Sequence, residues 1–294
     1  MSTALALDHV AVCGRELAPL VAAYEALGFS LSPIAQQSGK RSPDGVVEPF
    51  GTGNRCAFLR HGYVELLAIL DPTLFDNQLG RFMDRYEGLH ILALGVQDEM
   101  ANLARMQAAG IAIPGVAWLE RPVDGPDGPR AKFARLPFPD APEGRVQLIR
   151  HLTPELIWDK RWMNHANHAD ALVALVMASA APAETAARFS RLMGLPFQPD
   201  PAGGSQIRLP GMAGLAGPEA PAMETMVRIL EPEALGTVLP GVEAPTLPFM
   251  AGMMLRTDDG NAAIRAMGLP LVPTRDGLMV PPALAGGAAL VFCP

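Results

Sequence analysis

Three side chains stand out in the 294-residue sequence by type and placement. His9 lies inside the apolar stretch Leu7–Val12, and His90 inside Leu89–Ala93. Each falls in the opening strand of a repeated unit, at a comparable place. Glu65 sits among Tyr63, Val64, Leu66 and Leu67. A carboxylate buried there without a partner would cost several kcal/mol, so Glu65 needs one. Two imidazoles and one carboxylate can hold a divalent metal and leave positions open for water or substrate. Catalytic Zn²⁺ sites and Fe(II) facial triads are built this way. The plainer alternatives are a hydrogen bond in the core for each histidine, and for Glu65 a buried ion pair with Arg55 or Arg60.

The elements that would position these groups repeat four times. Each unit has an apolar strand, an amphipathic helix, a glycine stop, a short extended segment and a proline. The opening strands are Leu7–Val12, Leu89–Val96, Ala171–Ala178 and Phe249–Leu255. Helices follow near 16–27, 99–109, 183–193 and 261–267, ending at Gly28, Gly110, Gly194 and Gly268. In the first, Leu17, Leu20, Val21, Tyr24 and Leu27 share a face at helical spacing. Asp98 suits an N-cap, Pro182 a first helical turn, and the glycines a left-handed C′ position. The glycines recur at intervals of about 80 residues, a period that signals duplication. Two further strands close each unit, for example Asn54–Leu59 and Tyr63–Ile69, or Lys132–Leu136 and Arg145–Arg150. The expected fold class is α+β: four βαβββ modules, each too small to close a core alone and therefore paired into two halves.

A two-residue turn at His61-Gly62 would place Phe58 opposite Glu65 and Cys56 opposite Leu67. Asn54, Cys56, Phe58, Tyr63, Glu65 and Leu67 then share one face, with Glu65 on the floor of a concave wall. Asn54, Phe58 and Tyr63 become substrate-lining candidates. The segments 36–53 and 121–130 read as loops from their Gly, Pro and charged content. Residues 153–170 read as a packed connector, in which Trp158 and Trp162 form one helical face and His165 and His168 are solvated or capping. His61 reads as a turn residue and Cys56 as a small buried hydrophobe. No phosphate-binding glycine loop and no Ser–His–Asp spacing is present.

Leu7-Asp8-His9-Val10, the apolar-flanked Glu65 and Leu89-His90-Ile91 resemble the metal-ligand positions of the vicinal oxygen chelate superfamily. That superfamily includes glyoxalase I, extradiol dioxygenases and bleomycin-resistance proteins. Gly51–Arg55 before Tyr63–Leu67, and His151–Trp158, are similar to its glyoxalase-like branch. The resemblance implies paired βαβββ modules around one divalent metal, Zn, Ni, Mn or Fe, held by the first and last strands of two modules. It places ligands at His9, Glu65 and His90 and a fourth at Gln147, where many relatives carry glutamate. A glutamine amide can ligate but cannot act as a base. Glu65 would then alternate between ligand and base. His151 shares strand parity with Gln147, so it could reach the pocket rim or make a structural hydrogen bond. The implied activity is lyase- or isomerase-type Lewis-acid chemistry on a small oxygenated molecule. Non-enzymatic small-molecule binding and Fe(II) extradiol cleavage are the alternatives. The implied halves are 1–151, with modules about 7–70 and 88–151, and 171–294, joined by 152–170. The second half offers no first-strand histidine and no inward carboxylate.

Composition limits the partners. The net charge is −7 with scattered basic residues, unlike the clustered positive surface that nucleic acid needs. No apolar run could span a bilayer, and no signal peptide is evident at the N-terminus. Three cysteines form no disulfide framework. These features predict a cytoplasmic protein whose partner is a small molecule, in an arrangement that also permits a homodimer.

Overall fold

The computed structural model describes residues 5–41, 45–123 and 127–294. The first unit runs β1 (Ala6–Gly14), α1 (Leu17–Ala26), β2 (Ala35–Gly39), β3 (Glu48–Phe58) and β4 (Tyr63–Ile69). A short α2 (Gly80–Met83) leads to β5 (Gly88–Gly95), α3 (Glu99–Ala108), β6 (Ala117–Pro122), β7 (Arg130–Phe138) and β8 (Arg145–His151). The third unit has β9 (Ala169–Ala178), α4 (Pro182–Met193), β10 (Gln198–Pro199), β11 (Ser205–Leu209) and β12 (Thr225–Leu230). After α5 (Leu235–Val238), the fourth has β13 (Phe249–Thr257), α6 (Ala262–Ala266), β14 (Val272–Pro273), β15 (Leu278–Val280) and β16 (Ala289–Cys293). The chain is therefore α+β with four βαβββ modules.

Local chemistry explains the helix ends. Asp98 accepts a hydrogen bond from the Ala101 amide and caps α3. Pro182 opens α4, and Gly194 closes it at φ 69°, which a residue with a Cβ adopts at a cost. The helices lie outside the sheet. Leu17, Leu20 and Tyr24 of α1 are buried against it, as are Phe189 and Leu192 of α4. Among the described residues no helix is long and apolar enough to cross a membrane.

Within a module the last strand returns parallel to the first: β1 with β4, β5 with β8, β9 with β12 and β13 with β16. Modules then join through antiparallel first strands, β1 with β5 and β9 with β13. The bridge Met250↔Leu89 makes one mixed sheet of all four modules.

The β1/β5 register reveals a local two-fold. Moving 82 residues along the chain carries the pair Leu7/Leu94 onto Leu89/Val12, and His9/Ala93 onto Ile91/Ala11. Each strand carries one bulge, at Asp8 and at His90. Asp8 is therefore the structural counterpart of His90, and His9 the counterpart of Ile91. The same shift carries Ala11↔Glu65 onto Ala93↔Gln147, and His9↔Tyr63 onto Ile91↔Arg145.

Several sequence expectations need correction. The hairpin after β3 has four loop residues, with the Leu59 amide bonded to the Gly62 carbonyl. Phe58 therefore pairs with Tyr63, Cys56 with Glu65 and Asn54 with Leu67. The register slips by two, so the expected face survives. Segment 36–53 holds most of β2 and the start of β3 rather than a loop. Segment 121–130 holds the ends of β6 and β7. Residues 42–44 and 124–126 of those segments, and 1–4 at the N-terminus, lie outside the described residues. Trp158 and Trp162 do not share a helical face, because two separate 3₁₀ turns, Pro154–Leu156 and Lys160–Trp162, break that stretch. His165 is buried, accepting from the Ser30 amide and bonding the Phe58 carbonyl. His61 lies in the four-residue turn, as expected, and is fully buried there against β9.

Candidate active site

The first two modules curve into a cup of about 190 Å³, whose lining comes wholly from residues before Arg150. Its floor is a small grid. One row across β4, β1, β5 and β8 is Tyr63, His9, Ala93 and Gln147. The next is Glu65, Ala11, Ile91 and Arg145. Strands about 4.8 Å apart bring these side chains within reach of one small molecule. His9, Glu65, Gln147, Asn54 and Tyr63 line the cup together, as does Ile91. Phe58 lines an adjoining outer groove instead.

His9 belongs to a buried hydrogen-bonded array. Its Nδ1 donates to Asp8 Oδ1 at 2.6 Å, and His151 Nε2 donates to the same oxygen at 3.1 Å. The bulge allows this, because it lets neighbouring side chains of one strand meet. Burial alone would raise the Asp8 pKa. The charges and hydrogen bonds of His151 and His9 outweigh it and hold the carboxyl well below its ordinary range. An ionised Asp8 fixes His9 with its proton on Nδ1. In the neutral form of the ring the lone pair is then on Nε2, which makes no hydrogen bond to the described residues. The His9 ring also stacks on Tyr63, centroids 4.4 Å apart. His151 does not line the cup; it sits behind it, packed against Trp158 and Phe133.

Glu65 is held by amides rather than by Arg55 or Arg60. Its Oε1 accepts from Asn54 Nδ2, and from Gln37 Nε2 at 3.5 Å. The side-chain carbonyl oxygens of Asn54 and Gln147 are buried and have no partner among the described residues. Beside these acceptors stand Arg121, Arg135 and Arg145. Burial, and secondly the charge of Arg145, push the Arg135 pKa down to about 10. Cys56 is fully buried and its thiol pKa is raised by that burial, which suits a core residue.

His90 is placed elsewhere. Its Nε2 donates to the Tyr86 carbonyl at 2.8 Å, and its ring stacks on Tyr86 and Phe82. Burial lowers its pKa to about 4, so it is a neutral core residue at pH 7. The bulge at His90 turns it off the cup and hands the position to Ile91. Among the described residues, no three His, Cys, Asp or Glu side chains come together as a metal-binding group. Sequence reasoning missed Asp8 and the arginines. One signal was available for Arg145: it is two residues from Gln147 in a strand and so shares its face.

Residues 7–193 match the model of a family described as a glyoxalase-like domain. A hypothetical protein from Staphylococcus aureus has a similar structure, with TM-score 0.67 over 99% of each chain at 12% identity. The Mn(II)-bound glyoxalase of Novosphingobium aromaticivorans gives 0.53 at 13% identity, covering 99% of this chain and 82% of that one. A mutant 4-hydroxymandelate synthase from Streptomyces coelicolor gives 0.53 at 13% identity, over 96% and 78%. At such identities the likeness is one of fold. No curated protein matches the sequence significantly.

Proposed function

Because the chain belongs to the glyoxalase-like domain family of the vicinal oxygen chelate superfamily, we propose that it is an enzyme moving a proton on a small oxygenated molecule bound in the cup. The Asp8–His9 pair carries this reading. A histidine whose Nδ1 proton is held by a buried carboxylate presents Nε2 as a general base. His9 would take a proton from a carbon next to a carbonyl, and the electron pair would move onto the carbonyl oxygen. Where the deprotonated carbon bears a hydroxyl, return of the proton to the former carbonyl carbon, with the hydroxyl proton passing to the former carbonyl oxygen, gives isomerisation. Where the carbon on the other side bears a leaving group, collapse of the enolate expels that group and gives elimination. Glu65, fixed by Asn54 and Gln37, is the second group able to carry a proton.

The resemblance implies a divalent ion, which would supply Lewis acidity to such a step. His9, Glu65 and Gln147 would be its holders. These residues do not fit a resident ion. The two-fold makes positions 9, 65, 91 and 147 the four ligand places, and they hold one imidazole, one carboxylate, an isoleucine and a neutral amide. Arg135 and Arg145 add positive charge to the same cavity. The two-histidine set needed for extradiol chemistry is likewise unassembled.

The test is wash-in of solvent deuterium, followed by proton NMR, in chelator-treated protein. The probes are a panel of 2-oxo acids and neutral hydroxyketones. Exchange in the wild type and a loss of about 100-fold or more in His9→Asn are expected, the usual weight of a general base. Binding without exchange anywhere in the panel would favour a non-enzymatic ligand-binding protein and overturn the proposal.

A further inference from the structure

We propose that the cup takes a small organic anion, its carboxylate or phosphate anchored by the guanidinium groups of Arg135 and Arg145 and its apolar body lying in the outer groove. The inference rests on reading the cup as the substrate site and names the substrate class.

The arrangement of charge carries it. Arg121, Arg135 and Arg145 line the cavity, and none of the three forms an ion pair among the described residues. Other half-buried arginines of this molecule are matched. Arg228 is bound at both ends by Asp200, Arg188 pairs with Glu143, and Arg105 donates to the carbonyls of Arg191 and Leu192. Arg105 and Arg188 each leave a buried Nε without a hydrogen bond but are held through their terminal nitrogens. In the cup, by contrast, Arg135 makes no side-chain hydrogen bond at all among the described residues, its buried Nε included, and Arg145 spends one on the Asn77 carbonyl at 2.7 Å. The two cations feel each other's charge. Glu65 and Asp76 lie within electrostatic reach of Arg145 without pairing with it, and Glu120 is engaged by Arg130. Two like charges held together in a poorly solvated cup are unfavourable unless something neutralises them. A carboxylate or phosphate does so and matches the fork of a guanidinium.

The neighbouring groove supplies the rest of the molecule's description. It has a volume of about 440 Å³ and shares Gln36, Gln37 and Arg121 with the cup. Its walls include Phe58, Leu156, Ile157 and Trp162, and Ile34, which is 61% exposed. A charged head in the cup and a hydrocarbon or aromatic body in the groove would satisfy both surfaces.

Titration calorimetry of the full chain at pH 7 and fixed ionic strength tests this with phenylacetate, phenyl phosphate and 2-phenylacetamide. At least one anion should bind about tenfold or more tightly than the neutral amide. Arg135→Met and Arg145→Met should each weaken that anion by about tenfold or more, while Arg208→Met, outside the cup, stays within about twofold. The ranking of the two anions tells a carboxylate site from a phosphate site. Arg135→Lys and Arg145→Lys, which keep the charge, guard against a folding defect and should bind more tightly than the methionine variants. Equal binding of the amide, unchanged binding in the methionine variants, or no binding of either anion at millimolar concentration would overturn the proposal. Heat of binding is independent of turnover. A protein that exchanges deuterium only on neutral ketones therefore defeats this inference alone, and one that binds anions without exchange defeats only the proton-transfer reading.

Discussion

His90 offers a test of the bulge and of what it does to the site. The ring is fully buried, and its pKa falls from 6.5 to about 4 because burial disfavours the imidazolium. A folded pKa below the unfolded one means that the unfolded chain binds the extra proton first as pH falls. Stability from this group is therefore whole above pH 6.5 and is lost progressively down to about pH 4. At pH 5 the unfolded ring is almost fully protonated and the folded ring about one-tenth so, which makes the loss relative to pH 7 about 2 kcal/mol. His90→Phe keeps a ring between Tyr86 and Phe82 and removes the titration. Urea unfolding of both proteins at pH 7 and pH 5 reads the difference. The wild type should lose about 2 kcal/mol more than the variant between the two pH values. Equal losses would refute the burial argument. A gain of proton affinity, or strong metal protection of His90, would place the ring back in the cup.

Asp8→Asn removes a charge that accepts from two buried imidazoles, each such bond being worth about 1.5–3 kcal/mol. Denaturant unfolding at pH 7 should show a loss of about 3 kcal/mol, and deuterium exchange should fall with it; an unchanged midpoint would count against the array. In wild type, the Asp8 contribution is whole above the ordinary carboxylate range and is lost only as pH falls well below it, since its folded pKa is depressed. The double variant Ile91→His/Gln147→Glu restores donors at both two-fold positions. It should bind Zn²⁺ or Mn²⁺ about 100-fold more tightly than wild type by calorimetry, and equal affinity would show that the donor count is not what limits the site.

Much of this architecture is legible in the sequence, and the exceptions have identifiable causes. The glycine stops, the Asp98 cap and Pro182 mark modules because each answers a local backbone need. The hairpin face carrying Glu65 was readable despite the register slip, since a shift of two residues preserves strand parity. The place of His90 is not legible from strand periodicity, because a bulge adds one residue that periodicity does not display. The trace is there in retrospect. Gly28 and Gly110 are 82 apart, as are Glu65 and Gln147, whereas His9 and His90 are 81 apart. β2 has no strand signature in the sequence, because an edge strand that turns Gln36, Gln37 and Ser38 toward a cavity lacks apolar alternation. Asp8 escaped notice because adjacent strand residues ordinarily face opposite sides, and only the bulge brings its carboxylate to His9. The four-residue spacing of Trp158 and Trp162 has no helical meaning, because Pro154 and Asp159 divide the stretch into separate turns.

The most direct measurement of the central claim plots the deuterium-exchange rate per protein molecule against bound metal per protein molecule. Samples run from chelator-treated to fully metal-loaded, with metal content taken by elemental analysis. A base built from Asp8 and His9 predicts the same rate across the series and its loss in His9→Asn at every loading. A rate that starts from zero and rises in proportion to bound metal would contradict it.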